Sequence, residues 1–306
     1  GLAPDLDVLI QSSNDPILSL EYHRQFSHSL VFIPIGSLIV ALLIFPWVKK
    51  AMSFKLVYLV SFLGYATHGL LDACTSYGTL LLWPFSYERI TWDNISIVDP
   101  IFTIPTLIFV ICALMTKRKK FSFFAIGWIL FYLIFGLVQY ERTLSAAKDL
   151  ASSRGHSAER LTLKPSFGNL ILWKSIYKHE ENFYVDAIRT VQSSHWCSGE
   201  STRAFSYKQH LPKLNRDSQQ ARDIERFRWF SQDYLGYQKE KKLVTDIRYS
   251  MLPNQIEAMW GLVIDETLDF EKHALWWTGR SLEPSELYLF LEMLIGKGCS
   301  DNDKKI

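Results

Sequence analysis

The sequence predicts an α-helical multi-pass membrane domain over residues 1–140, followed by a small α+β soluble domain over residues 141–306. Three observations carry this. Residues 30–140 are strongly apolar and residues 141–306 are polar with mixed charge, a split hidden by chain averages of 48% hydrophobic and 21% charged residues. Four runs in the first part hold few or no charges over lengths close to a bilayer crossing, which takes about 20 mostly apolar residues. Lys and Arg gather in alternate connections between those runs, the pattern that sets membrane orientation. The length of 306 residues leaves room for about two domains. A net charge of +2 gives no reason to expect nucleic acid as a partner.

The four runs are Leu30–Val48, Leu56–Ala73, Ile101–Thr116 and Phe121–Tyr140. The first connection holds Lys49, Lys50 and Lys55, and the third holds Lys117, Arg118, Lys119 and Lys120, so both are expected on the cytoplasmic side. The second connection has Arg89 as its one basic residue, with Trp83, Phe85, Tyr87 and Trp92 suited to an interfacial belt. Residues 1–29 and everything after Tyr140 are then expected outside, which in a bacterium means an extracytoplasmic C-terminal domain on the inner membrane.

In the polar half, Glu141–Arg160 reads as a helical or irregular linker. Leu170–Tyr177 and Phe183–Val191 alternate like strands around a charged turn, Lys178 to Asn182. Ser218–Tyr234 reads as a helix capped by Asp217, with Phe227 and Phe230 on one side. Leu243–Met251 and Ala258–Ile264 read as strands, and Glu283–Ile295 as a helix. No CxxC pair exists among Cys74, Cys112, Cys197 and Cys299, which argues against a thiolate zinc site. Cys74 and Cys112 read as small apolar residues, and Cys197 and Cys299 can pair if their domain lies outside the cytoplasm.

The chemistry-bearing residues are Asp5, Asp7, His23, His28, His68, Asp72 and Asp99. His68 and Asp72 are spaced i, i+4 and face one way on a helix, so both can reach one ion. Imidazole and carboxylate together suit zinc and similar divalent cations. His23 and His28 diverge on a straight helix and need a turn to meet. The orientation drawn from Lys and Arg alone puts all seven at one membrane surface. Ionisable groups beside a span are costly unless paired or functional. Blander readings stand beside this one: Asp5 and Asp7 as turn residues, His68/Asp72 as a helix-stabilising pair, and Asp99 as an N-cap with Pro100 at N1. Arg24 is a candidate for anion binding, or an ordinary interfacial arginine. No GxSxG elbow and no phosphate-cradling glycine loop is present, which leaves metal-activated water as the simplest chemistry.

Several stretches resemble the bacterial membrane-bound metal-dependent hydrolase family, the YdjM-like proteins. They are Pro4-Asp5-Leu6-Asp7, His23-Arg24-x-x-Ser27-His28-Ser29, His68-x-x-x-Asp72, Tyr77-Gly78-Thr79 through Trp83-Pro84-Phe85, and Asp99-Pro100. They cover about residues 1–105, and the soluble half looks like the extension that some members carry. Members usually begin with a further apolar segment, so the resemblance implies a truncated start here. It also implies kinship at fold level with zinc-dependent phospholipase C and P1-type nucleases, and hydrolysis of a phosphoester, plausibly a membrane phospholipid. The expectation is a metal-dependent hydrolase holding Zn2+. A non-catalytic metal-binding membrane scaffold and a small transporter are the alternatives.

Overall fold

A computed structural model describes residues 1–279 and 283–297. The chain folds as two compact units, Gly1–Trp92 with Glu225–Phe230, and Asp93–Ile224 with Ser231–Ile306. The change of polarity near residue 140 falls inside a helix of the second unit.

The first unit opens with a 3-10 turn, Pro4–Leu9, then α1 (Leu18–Tyr22), a second 3-10 turn, Phe26–His28, and two apolar helices, α2 (Ile33–Val48) and α3 (Phe54–Ala73). Ser53 starts α3 with its hydroxyl accepting from Leu56 N–H, after the lysine-rich connection. Gly36 of α2 lets the pair close, because a Cβ there would lie 2.5 Å from the Tyr65 ring of α3. The chain after α3 folds back on itself. Thr79 and Ile90 form an isolated bridge, and Leu30 N–H donates to Leu81 O at 2.9 Å. Arg226 clamps the N-terminal segment, with Nη2 2.8 Å from Asp15 Oδ2 and Nε 2.6 Å from Glu21 Oε1.

The second unit starts with an antiparallel helix pair, α4 (Pro100–Thr116) and α5 (Lys119–Ser153), joined at Lys117 in the left-handed conformation. Asp99 Oδ1 caps α4 by accepting from Phe102 N–H at 3.1 Å. Trp128 Nε1 of α5 donates to Phe102 O at 3.2 Å. The expected linker after Tyr140 is instead more α5, which runs helical to Ser153 and buries Thr143, Ala146, Ala147, Leu150 and Ala151. That stripe recurs at three and four residues, so packing against the sheet extends the helix past its apolar part. Arg154 at its end grips Asp186 with two bonds of 2.7 and 2.8 Å.

Two four-stranded antiparallel sheets follow. The first is β1 (Glu159–Pro165), β2 (Leu172–His179), β3 (Asn182–Thr190) and β4 (Ser194–Arg203), in that order. The expected charged turn is present as a two-residue connection, Glu180-Glu181, between paired His179 and Asn182. Next come α6 (Tyr207–His210) and α7 (Gln219–Phe230), the latter divided between the two units. Ser218, not Asp217, caps α7, its hydroxyl accepting from Ala221 N–H at 3.3 Å. The second sheet is β5 (Leu235–Gln238), β6 (Leu243–Asp246), β7 (Trp260–Val263) and β8 (Leu275–Thr278), and α8 (Pro284–Ile295) ends the described chain. Ile176, Phe183, Val185, Tyr234, Ile247 and Ile256 form a common core within this unit.

Among the described residues, two helices are long and apolar enough to cross a membrane, Phe54–Ala73 and Lys119–Ser153. A third crossing arises if Leu18–His28 and Ile33–Val48, bent by 86°, count as one broken span. Pro100–Thr116 is apolar but shorter, at 17 residues. Four spans were the sequence expectation. α2 begins at Ile33, three residues into the expected run, after the 3-10 turn at Phe26–His28, whereas α4 covers its expected run in full. Cys74 and Cys112 are free thiols, Cys197 is disulfide-bonded, and Cys299 lies outside the described residues.

Candidate metal centre

Four side chains converge in the first unit: Asp5, His28, His68 and Asp72, each offering one donor atom within 4.8 Å of the others. Asp5 comes from the first 3-10 turn, His28 from the second, and His68 and Asp72 from the last turns of α3. His28 Nε2 lies 3.0 Å from Asp72 Oδ2 and 3.4 Å from Asp5 Oδ1. His68 Nε2 lies 3.2 Å from Asp5 Oδ1 and 3.3 Å from Asp72 Oδ2. Ligand bonds of about 2.0–2.1 Å arranged tetrahedrally around one ion require donors about 3.3 Å apart. The donor set suits a divalent cation in chemistry, and four of its six separations, at 3.0–3.4 Å, match that spacing. His28 Nε2 and Asp72 Oδ2 are buried and face each other at 3.0 Å without the alignment of a hydrogen bond, so both can turn toward a common point.

Local sequence builds this convergence. Gly69 lets α3 approach the second 3-10 turn, because a Cβ there would come within 2.8 Å of His28 O. Arg24 has φ of +59°, a conformation costly for a side-chain-bearing residue, and it turns the chain between His23 and His28. Two backbone bonds hold it there: Arg24 N–H donates to Asp7 Oδ2 at 2.9 Å, and Leu80 N–H donates to Arg24 O at 2.9 Å.

Asp7 stands behind the four rather than among them. Its side chain is fully buried. Oδ1 lies 2.8 Å from His23 Nδ1, and Oδ2 accepts from Ser27 Oγ at 2.6 Å and sits 3.2 Å from His28 Nδ1. Burial alone would raise its pKa. The hydrogen bonds from His23, His28, Ser27 and Arg24 N–H outweigh that and hold the carboxyl well below the usual carboxylate range. With Nδ1 facing Asp7, His28 is left to present Nε2 to the cluster.

Arg24 is engaged as well. Nη2 lies 3.1 Å from Asp72 Oδ1, Nη1 donates to Thr75 Oγ1 at 3.0 Å, and the guanidinium sits 5.1 Å from the Tyr77 ring centre. It thereby occupies one oxygen of Asp72 and leaves the other to the cluster. Asp5, at 39% side-chain exposure, is the open side of the group. His23 stands outside the four, its ring 6.2 Å from that of His28. Asp99, which belongs to the second unit, is engaged there, with Oδ1 capping α4 and Oδ2 accepting from Tyr132 Oη at 2.8 Å.

The sequence reading gave no place in the site to Thr75 or Arg89, and quoted Ser27 and Tyr77 only within the family-like motifs. Ser27 and Thr75 steady Asp7 and Arg24. Arg89, buried beside Tyr77, donates through Nη2 to Gly78 O at 2.8 Å and to His23 O at 3.3 Å. The Ser directly before His28 was the one signal available for such support, and its Oγ lies 2.9 Å from His28 Nδ1.

Residues 1–143 match the model of a family described as YdjM inner membrane protein. No curated protein and no solved structure matches the chain. The family match supports the kinship with YdjM-like proteins drawn from the motifs. Together with the apolar helices it identifies a membrane protein, of the inner membrane by the family's description.

Proposed function

We propose that this chain is a membrane-bound, metal-dependent hydrolase that cleaves a phosphoester, with a phospholipid as the substrate class closest at hand. The observation that carries the reading is the convergence of two imidazoles and two carboxylates, with the donor atoms of His28 and Asp72 buried and 3.0 Å apart. Asp5, His28, His68 and Asp72 would hold the ion, and Zn2+ suits that set. A divalent cation in such a site lowers the pKa of a water from about 15.7 to about 7 and so makes a nucleophile available at neutral pH.

The chain's own residues then have separable tasks. Asp7 and Ser27 together face Nδ1 of His28, at 3.2 and 2.9 Å, and fix which ring nitrogen faces the ion. Arg24 holds Asp72 through Oδ1 and sets the direction of Oδ2. His23, steadied through Nδ1 by Asp7, is an imidazole close to His28 that can take up and return a proton during hydrolysis. Asp5 lines the open approach.

A multi-pass arrangement accompanies this reading. Lys49, Lys50, Lys55 and the Lys117–Lys120 run face the cytoplasm, which puts the cluster and residues 141–306 on the extracytoplasmic side. The disulfide at Cys197 supports an oxidising compartment for that part.

The test is elemental analysis of the detergent-purified full chain and of His68→Ala, followed by a phosphodiesterase and phospholipase screen. One bound divalent ion in the wild type, lost with activity in the variant, is expected. Metal-free wild-type protein, or unchanged content in the variant, overturns the reading.

A further inference from the structure

We propose that the second unit rests on the same bilayer its helices enter, and that α8 lies in the headgroup layer with Leu287, Tyr288, Leu291 and Ile295 turned to the lipid. The inference depends on α5 crossing the membrane. It begins where the apolar surface of α5 stops. Leu137 and Val138 are its last exposed large apolar residues, and Gln139 next to them is buried. Gln139 Nε2 donates to Leu170 O at 3.0 Å and to Thr190 O at 2.7 Å. Arg142 Nη2 donates to Val191 O at 2.6 Å. These carbonyls belong to the β1–β2 and β3–β4 ends of the first sheet. Both are therefore pinned to the helix at the level where it leaves hydrocarbon.

A second helix fixes the same level. Gly168 N–H, in the β1–β2 connection, donates to Val98 O at 3.1 Å, just ahead of Pro100 where α4 begins. This end of the sheet carries exposed apolar side chains, Phe167 at 64% exposure with Ile97, Val98 and Val191, beside the exposed polar Gln192 and Ser193. The opposite end, at the β2–β3 turn, exposes Glu180 and Glu181. Such a grouping of exposed apolar side chains marks a contact surface.

α8 is attached to this apolar end. Arg189 Nε donates to Leu294 O at 2.8 Å. Met293 is buried with Leu172 and Ala187, and Phe290 and Leu294 pack beside it. Leu172 and Arg189 are partners in the β2–β3 ladder, in the rung next to the pinned connections. The rest of the helix surface is not covered. Leu287, Leu291 and Ile295 recur at i, i+4 and i+8 with Tyr288 beside them, all exposed, within about 100° of arc at about 3.6 residues per turn. Tyr288 stands at the edge of that stripe one helical turn before Glu292, the polar border expected where a helix lies half in lipid and half in water. A bilayer fits this stripe better than a second copy does, because the stripe is continuous with a sheet end already held at the boundary by two apolar helices.

The test uses the full chain in vesicles of phosphatidylcholine and phosphatidylglycerol, with the free thiols removed by Cys74→Ala and Cys112→Ala. Spin labels are placed singly at Phe167→Cys, Leu291→Cys and Ile295→Cys, all exposed positions, and at Glu181→Cys as the water-facing reference. Collision with oxygen should exceed collision with a nickel chelate at the first three, and the order should reverse at Glu181. Labels at 291 and 295 that behave like the one at 181 overturn the proposal. So do labels at 291 and 295 shielded from both reagents, the result expected beneath a second copy or another protein.

Discussion

Asp7 Oδ2 lies 3.2 Å from His28 Nδ1, while Nε2 of the same ring lies 3.0 Å from Asp72 Oδ2. One imidazole thus bridges a fully buried carboxylate and the candidate metal centre. Asp7→Asn keeps the size of the side chain but removes its charge and one acceptor. We expect metal affinity to drop by about 10–100-fold with stoichiometry intact, the usual consequence of losing an orienting carboxylate. Calorimetric titration with Zn2+ after chelation measures it, and unchanged affinity would show that Asp7 orients nothing.

Gly69 and Gly127 both sit within long apolar helices, yet alanine should affect them in opposite ways. At Gly69 the new Cβ meets the backbone carbonyl of His28 at 2.8 Å, so α3 must move away from the cluster. Gly69→Ala should cost about 1–3 kcal/mol and weaken metal binding. At Gly127 nothing lies within 4 Å, and Gly127→Ala should be neutral or slightly stabilising. Thermal unfolding in detergent, read alongside metal content, separates the two.

Lys174 gives the second unit a pH dependence. It is fully buried from water on β2, and burial brings its pKa down from 10.5 to about 7, with Asp246 and Glu200 pulling the other way. Its Nζ donates to Ser250 Oγ at 2.6 Å and to Gln255 O at 2.7 Å. The unfolded state binds this proton up to about pH 10, the folded state only up to about pH 7. Stability should therefore rise as pH increases from about 7 to about 10, by an amount on the order of a few kcal/mol. Denaturant midpoints across that range test this for wild type and Lys174→Met. A slope that persists in the variant would assign the effect to other groups.

Chelation should lower the melting temperature, because an ion that binds only the folded state stabilises it by mass action. The gain is about 2.7 kcal/mol at 100 times the dissociation constant. Adding Zn2+ back should restore the transition in a concentration-dependent way for wild type and not for His68→Ala. A melting temperature indifferent to chelator and to Zn2+ would argue against a folded-state site.

Particular elements show how far the sequence could be read. The β2–β3 hairpin was legible because its apolar alternation is interrupted by a charged turn, and α8 because its period is helical. β1, β4, β5 and β8 were not, since each is short or polar and is held by its neighbours rather than by its own pattern. The helical continuation of α5 to Ser153 was equally hidden, because its stabilising partner is a sheet that follows it in the chain. The i, i+4 pair His68 and Asp72 needed only helix geometry to be recognised.

What the sequence determined by itself was the apolar character of the first half and the identities of the acids and imidazoles near its helix ends, because both depend on residue type and local spacing. Which of them meet was decided in three dimensions. Asp5 and Asp7 stand two residues apart in one 3-10 turn, yet Asp5 joins the cluster and Asp7 turns to the back of His28. That difference comes from the close approach of α3 at Gly69 and the left-handed turn at Arg24, contacts between segments far apart in the chain that no local pattern encodes.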